Sequence, residues 1–259
     1  MRVILAFLLA LTLIGCDRQG PVGREYGPQQ INDVDRAKIS LLTVRVGGDA
    51  NYPPFVFKDK NGKLAGLSVD MFEEVAKNIG LKYEYAFIGQ RAEMLKQLQE
   101  KKIDMTLASR TASSRPYLTA TQPYEYSKGT LLVNKGFDPK QIRTVGAGRG
   151  YASVTWLKTN KPEYAVVEFE DDSACIKSLM SKQVDSCIMG REIAFFLLEA
   201  ANLDVKDFDM TPVDYNYFLS FGVHSDNVVL VDILIKGLET IPTSRRNELL
   251  KKWLKEPYT

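Results

Sequence analysis

The chain has 259 residues, 45% apolar and 25% charged, an ordinary globular mixture long enough for one sizeable core or two lobes. Its 34 basic and 32 acidic residues leave a formal charge of +2 with no block of one sign. That argues against a concentrated phosphate-binding face, and so against nucleic acid as a partner. A single histidine, His224, and three cysteines exclude a multi-histidine zinc site and a disulfide-stapled mini-scaffold. Any Ser-His-Asp triad would have to use His224.

From the start of the chain, Met1-Arg2 is a short positive lead and residues 3–14 are apolar. That run is too short to span a membrane but suits the core of a signal peptide. Leu13-Ile14-Gly15-Cys16 resembles the lipobox of bacterial lipoproteins, which implies cleavage before Cys16 and a lipid on that cysteine. Asp17 resembles the inner-membrane retention signal of enteric lipoproteins. Residues 1–15 are therefore expected to be a lipoprotein signal peptide. Residues 16–40, polar and without periodicity, are expected to be a flexible tether spanning roughly 25–30 Å. The folded body is expected at the periplasmic face of the cell membrane, or at the cell surface in a Gram-positive organism, held by the lipid anchor only.

Residues 42–46 have a strand pattern, and after Tyr52-Pro53-Pro54-Phe55 the run Lys60-Asn61-Gly62-Lys63 signals a hairpin turn. Ser68 is placed to cap a helix with apolar Phe72, Val75, Ala76 and Ile79, closed by Gly80. Residues 81–87 make a second strand, Met94, Leu95 and Leu98 a second helix, and residues 103–107 a third strand. This alternation predicts parallel α/β layers. Further on, residues 130–133 and 218–223 read as extended segments. Two helices follow, one through Leu230, Ile233, Leu234, Leu238 and Ile241, the other through Leu249, Leu250 and Trp253.

The spacing Leu95-x-x-Leu98-x-x-Lys101-Lys102-Ile103-Asp104 recurs as Ile176-x-x-Leu179-x-x-Lys182-Gln183-Val184-Asp185. A repeated helix-to-strand unit suggests two similar lobes. Two crossings between lobes make a hinge, and the cleft between them is the default ligand site. Cys175 and Cys187 remain after lipidation of Cys16; in an oxidising compartment they form either a bridge or two buried thiols. His224 is expected on the hinge surface.

The stretch GGDANYPPFVFKDKNGKLAGLSVDMFEEVAKNIG, residues 47–80, resembles the opening of family 3 solute-binding proteins. These are type II periplasmic binding proteins that mostly serve amino-acid ABC transporters. The likeness continues through Asp104, Arg115, Thr121-x-Pro123-Tyr124, Val184-Asp185 and residues 194–198. It ends in SFGVHSDN and LIKGLETIPTSRRNELLKKWL, where it is nearest the flytrap domains of sensor proteins. It covers residues 41–256 and implies an α/β two-lobed Venus flytrap with two crossing hinge strands. Lobe 1 is expected from residues 41–131 plus 222–259 and lobe 2 from residues 132–221. The resemblance implies binding of a small carboxylate-bearing ligand, an amino acid or organic acid, without cofactor or metal. It implies an ABC permease as partner, with a signalling protein as the alternative. Enzymatic relatives of the fold include cyclohexadienyl dehydratases, but their Gly-Gly-Thr-Asn-Glu type loop is replaced here by Gly150-Tyr151-Ala152-Ser153. The chain is therefore expected not to be an enzyme.

In this family an arginine of lobe 1 usually grips the ligand carboxylate, because a guanidinium makes two charge-assisted bonds at once. The match puts Arg115 near that place. The segment before Pro123 is shorter than usual, so Ser109-Arg110-Thr111 is the alternative grip. Asp49, Tyr52 and Phe55 match the aromatic mouth of lobe 1, and Arg91 stands where many amino-acid binders carry an aromatic residue. Gly190 stands where many carry an aspartate for the ligand's ammonium. A buried ammonium needs a carboxylate, so either Glu192 substitutes or the ligand carries no ammonium. Arg149, Gly150 and Tyr151 belong to an anion-friendly turn at a helix N-terminus rather than a dinucleotide fingerprint. With Arg91, Arg110, Arg115, Arg149 and Arg191 all near the cleft, a carboxylate-rich anion is expected ahead of a plain zwitterion.

Overall fold

The computed structural model describes residues 31–109 and 115–254. Cys16 and the expected signal peptide, like Arg110 and Thr111, lie outside the described residues.

In the first lobe β1 (Thr43–Asp49) lies between β5 (Lys82–Gly89) and β6 (Met105–Ser109), parallel to both. Parallel neighbours need crossovers, and α2 (Leu67–Ile79) and α3 (Arg91–Gln99) supply them. Val44 and Val46 of β1, Met105 and Leu107 of β6, and Phe72, Val75 and Ile79 of α2 are buried in one core. Between β1 and α2, β2 (Asn51–Tyr52), β3 (Val56–Lys58) and β4 (Leu64–Ala65) form a small antiparallel sheet. The expected turn joins its last two strands, with Asp59 Oδ1 accepting from the amides of Asn61 at 2.8 Å and Lys63 at 2.9 Å. The Pro53–Pro54 peptide is cis.

Gly80 closes α2 in the left-handed region at φ 71°, as a C-terminal glycine should. The start of α2 differs from the sequence expectation. Gly66 is the N-cap at φ 129°, and a Cβ there would run into the Phe55 carbonyl. Ser68 is buried within the helix, its Oγ 2.6 Å from the Tyr124 hydroxyl.

The second lobe repeats the scheme. Its β9 (Thr144–Gly148) lies between β10 (Ala165–Phe169) and β11 (Ser186–Gly190), all parallel, with α4 (Ala152–Asn160), α5 (Asp172–Met180) and α6 (Arg191–Ala200) packed around them. The repeated spacing corresponds to one backbone design. Lys101 and Lys182 adopt left-handed φ values of 58° and 59° just after α3 and α5. Asp104 then accepts from the Arg45 amide at 2.8 Å, and Asp185 from those of Thr144 at 2.8 Å and Arg143 at 2.9 Å. Each aspartate ties the helix-to-strand turn to the neighbouring strand. Of the two states left open for the cysteines, the bridge is the one found: Cys175 and Cys187 are bonded and buried, with Cα atoms 6.1 Å apart, and join α5 to β11.

Two long strands carry the chain between lobes. β8 (Glu125–Asn134) pairs with β11, and β12 (Phe208–His224) runs antiparallel to β8 before pairing with β6 and with β7 (Leu118–Ala120). The order β10-β9-β11-β8-β12-β6-β1-β5 is thus one continuous path, with antiparallel strands in the middle. α7 (Val228–Glu239) and α8 (Thr243–Trp253) turn back and pack on α2 of the first lobe. His224 is not on a hinge surface. It ends β12 inside the first lobe, buried, with Nδ1 accepting from the Asp226 amide at 3.2 Å.

The expected tether to residue 40 fails over its last turns, which form α1 (Asp33–Ser40). Asn32 Oδ1 accepts from the Asp35 amide at 2.9 Å, and Asp35 Oδ2 accepts from the Asn32 amide at 3.1 Å, a reciprocal capping box. Ile39 is buried, and Lys236 of α7 sits 3.1 Å from both oxygens of buried Asp35. A helix of eight residues is marginal alone, so docking on the body holds it.

Candidate functional site

Between the lobes lies a cavity of about 40 Å³ lined by Asp49, Asn51, Gln90, Arg91, Arg149 and Glu170, with Ala92. Asp49 ends β1, Gln90 caps α3 and Arg91 begins it, while Arg149 and Glu170 directly follow β9 and β10. These are the carboxyl ends of parallel strands, where open α/β sheets leave a crevice.

Arg91 is only 6% exposed, unusual for an arginine, and its Nη1 donates to the Ala108 carbonyl at 3.4 Å. Its guanidinium lies 5.7 Å from the centre of the Tyr151 ring. Asp49 is buried and accepts from the Asn51 amide at 3.1 Å. Across the cleft, Gln90 Nε2 donates to Glu170 Oε1 at 2.5 Å and Arg115 Nη2 to the Gly150 carbonyl at 3.3 Å. The Tyr52 and Tyr151 rings meet edge-on at 5.8 Å, one from each lobe. Tyr124, close behind, has its hydroxyl pushed up in pKa by burial and shares hydrogen bonds with Ser68 and with Leu107 O at 3.0 Å.

Of the residues singled out from sequence, the structure brings Asp49, Arg91 and Arg149 to one cavity, with Tyr52 and Tyr151 meeting across the lobes. Arg115 reaches the opposite lobe at Gly150 but does not line the cavity. Ser109 ends β6 opposite Ser220. Phe55 is fully buried, 5.2 Å from the Tyr52 ring, so it is core and not mouth. On the second lobe, Gly190 and Glu192 both lie off the cleft lining. Gly190 is buried at the end of β11, and a Cβ there would come within 2.5 Å of Ser127 Oγ, leaving no room for an aspartate. Glu192 accepts a short hydrogen bond from Ser127 Oγ and faces a different cavity, beside Phe196 and Trp253. It therefore does not stand in for the missing acid. Arg191 lies 5.4 Å over the Phe195 ring, away from the cleft lining.

Asn51, Gln90 and Glu170 were not anticipated. A usable signal exists for Glu170: the offset that carries Leu95 onto Ile176 carries Gly89 onto Glu170. The two matching strand-to-helix turns are the ones that face each other. With Glu170 beside Asp49, the cleft holds acids as well as arginines.

The sequence profile of bacterial extracellular solute-binding proteins, family 3, matches residues 44–256. This chain belongs to that family. The L-cystine-binding protein of Escherichia coli is 29% identical over 170 residues, a match covering 62% of this solute-binding protein and 63% of that one. A probable histidine-binding protein of Campylobacter jejuni is 26% identical over 268 residues, covering 97% and 98%. The periplasmic VFT2 domain of BvgS from Bordetella pertussis superposes with a TM-score of 0.77 at 18% identity, covering 88% of this chain and all of that domain. An ancestral arginine-binding protein bound to arginine superposes with a TM-score of 0.71 at 25% identity, covering 82% and 97%. The solute-binding protein thus has the two-lobed type II flytrap fold, in a family of extracytoplasmic, amino-acid-binding proteins. Among its described residues no helix is long and apolar enough to cross a membrane.

Proposed function

We propose that this solute-binding protein closes on a small α-amino acid, held by its carboxylate at the arginines and by its ammonium at the acids. The observation that carries the reading is the mixed charge of the cleft. Arg91 and Asp49 come from one lobe, Arg149 and Glu170 from the other. A carboxylate gains most from a guanidinium fork, and a desolvated ammonium requires a carboxylate. The relatives named as L-cystine-binding, probable histidine-binding and arginine-binding proteins are named for ligands with this head group.

The cavity between the lobes, about 40 Å³, is far below the roughly 300 Å³ and upward of small-molecule sites. Admission of a ligand therefore requires the lobes to separate, and a ligand that contacts both lobes favours their reclosure by its differential affinity. Binding, without bond-making, is the function assigned. The liganded protein, tethered through a lipid on Cys16, presents its cargo to an ABC permease.

Isothermal titration with L-amino acids and with dicarboxylates tests the ligand class. Saturable binding of an amino acid, lost in Arg91→Ala and weakened about tenfold in Glu170→Gln, is expected. Tight binding of dicarboxylates without any amino-acid response overturns it. Uptake of the bound amino acid should fall in cells lacking the protein. Unchanged uptake with a changed transcriptional response would instead identify a signalling partner.

A further inference from the structure

A second cavity of about 360 Å³ lies at the lobe junction and shares no lining residue with the cleft. Its walls are Glu192, Phe195, Phe196 and Glu199 of α6 on one lobe, and Lys252 and Trp253 of α8 on the other. Its size falls within the range of small-molecule sites. Phe57 of β3 joins the lobes beside it, 5.1 Å from the Phe196 ring and 5.7 Å from the Trp253 ring.

The charges around this cavity favour one sign of ligand. Lys252 is engaged by Asp70 at 2.7 Å, and Asp70 also accepts from Trp253 Nε1 at 2.7 Å. Glu192 takes its hydrogen bond from the hydroxyl of Ser127, which carries no countercharge. Among the lining residues two carboxylates, Glu192 and Glu199, stand against one cation, Lys252, where aromatic rings form the wall. The rings already attract cations on the protein itself: Lys252 lies 4.7 Å over Trp253 and Arg191 5.4 Å over Phe195.

We propose that the junction cavity is a second ligand site, separate from the amino-acid cleft, which takes a small organic ammonium with an apolar or aromatic body. The ammonium faces Glu192 and the body lies against Phe196 and Trp253. Because the walls come from both lobes, occupancy also favours the closed arrangement.

Phenethylammonium is a suitable probe, since it carries the ammonium and ring but lacks the carboxylate the cleft requires. Trp156 and Trp253 are the two tryptophans of the chain. In a Trp156→Phe background, emission therefore reports Trp253 alone. A saturable change with phenethylammonium is expected, absent with phenylacetate and weakened about tenfold by Glu192→Gln, which keeps the shape of the side chain. Affinity in the Trp156→Phe protein should also fall as salt is raised, a reading independent of the folding of any Glu192 variant. No saturable change, an equal response to phenylacetate, or an affinity indifferent to both salt and Glu192→Gln would overturn the proposal. An equal loss in Arg149→Ala would put the probe in the cleft and overturn it as well. None of these outcomes bears on amino-acid binding, which the titrations of the cleft measure separately.

Discussion

Gly190 shows how a single missing Cβ shapes the second lobe. The family resemblance marks it as the place of an absent aspartate, whereas the structure gives a steric cause. Ser127 of β8 and Ile193 of α6 occupy the space a side chain would need. Gly190→Ala should therefore cost about 1–3 kcal/mol by overpacking. Adding Ser127→Ala, which removes the closest atom, should recover most of that loss in a chemical-denaturation series. No recovery would mean that Ile193, 3.3 Å from the same Cβ, sets the limit. Lys182 is the opposite case, a side chain where glycine suits the backbone. Its φ of 59° carries the strain of a left-handed L-residue. Lys182→Gly should raise stability by about 0.5–1 kcal/mol, the relief of strain exceeding the entropy glycine adds to the unfolded chain. A lower melting temperature than the parent would refute that balance.

At the scale of elements, α1 rests on one buried ion pair. The Asn32 amide, ahead of the Lys236 charge, holds the Asp35 carboxyl below the ordinary aspartate value against the opposing effect of burial. A depressed folded pKa means that the stabilisation is complete above the unfolded value of about 3.9 and is lost as pH falls through the folded one. Docking of α1 should thus be firm at neutral pH and loosen below about pH 4. Hydrogen exchange of the amides of residues 33–40 should accelerate there before the core amides respond. Asp35→Asn should produce the same loosening at pH 7, at a cost of about 1–3 kcal/mol. Lys236 keeps Asp232 as a partner at 2.8 Å, so the core should stay folded. Exchange unchanged in Asp35→Asn would show that Ile39 alone holds the helix. This element was illegible in the sequence because its one strong contact is with a residue 201 positions away. β1, α2, β5, α3 and β6 were legible because their apolar periodicity is local and Gly80 and Gly89 mark two of their turns. The cleft was legible where a residue ends a strand or directly follows one, as Asp49 and Arg149 do. At Glu192 the sequence left two readings open, and its place on α6 puts it at a different cavity, beside Phe196 and Trp253.

At the scale of the whole molecule, two sets of contacts hold the lobes together, and they differ in chemistry. At the cleft the hydrogen bonds run from Gln90 to Glu170 and from Arg115 to the Gly150 carbonyl, beside the edge-on Tyr52–Tyr151 pair. Exposed polar contacts of this kind exchange with water and add little net free energy. At the junction the contact is apolar, with Phe57 of the first lobe against Phe196 of the second. An aromatic pair is worth about 0.5–1.5 kcal/mol beyond its buried area. Its loss should shift the closed-to-open ratio about 2- to 10-fold. A pair of spin labels, one on α3 and one on α4, reads the lobe separation directly. Phe57→Ala should broaden that distance distribution toward longer values, and Phe196→Ala should do the same. The double variant should open no further than the single ones, because either truncation already removes the pair. Amino-acid affinity should fall with the closed population, by the same factor in all three proteins, while the residues touching the ligand stay intact. Additive opening in the double variant would mean that each ring acts through separate neighbours, Phe57 through Trp253, and that the pair itself does not set closure.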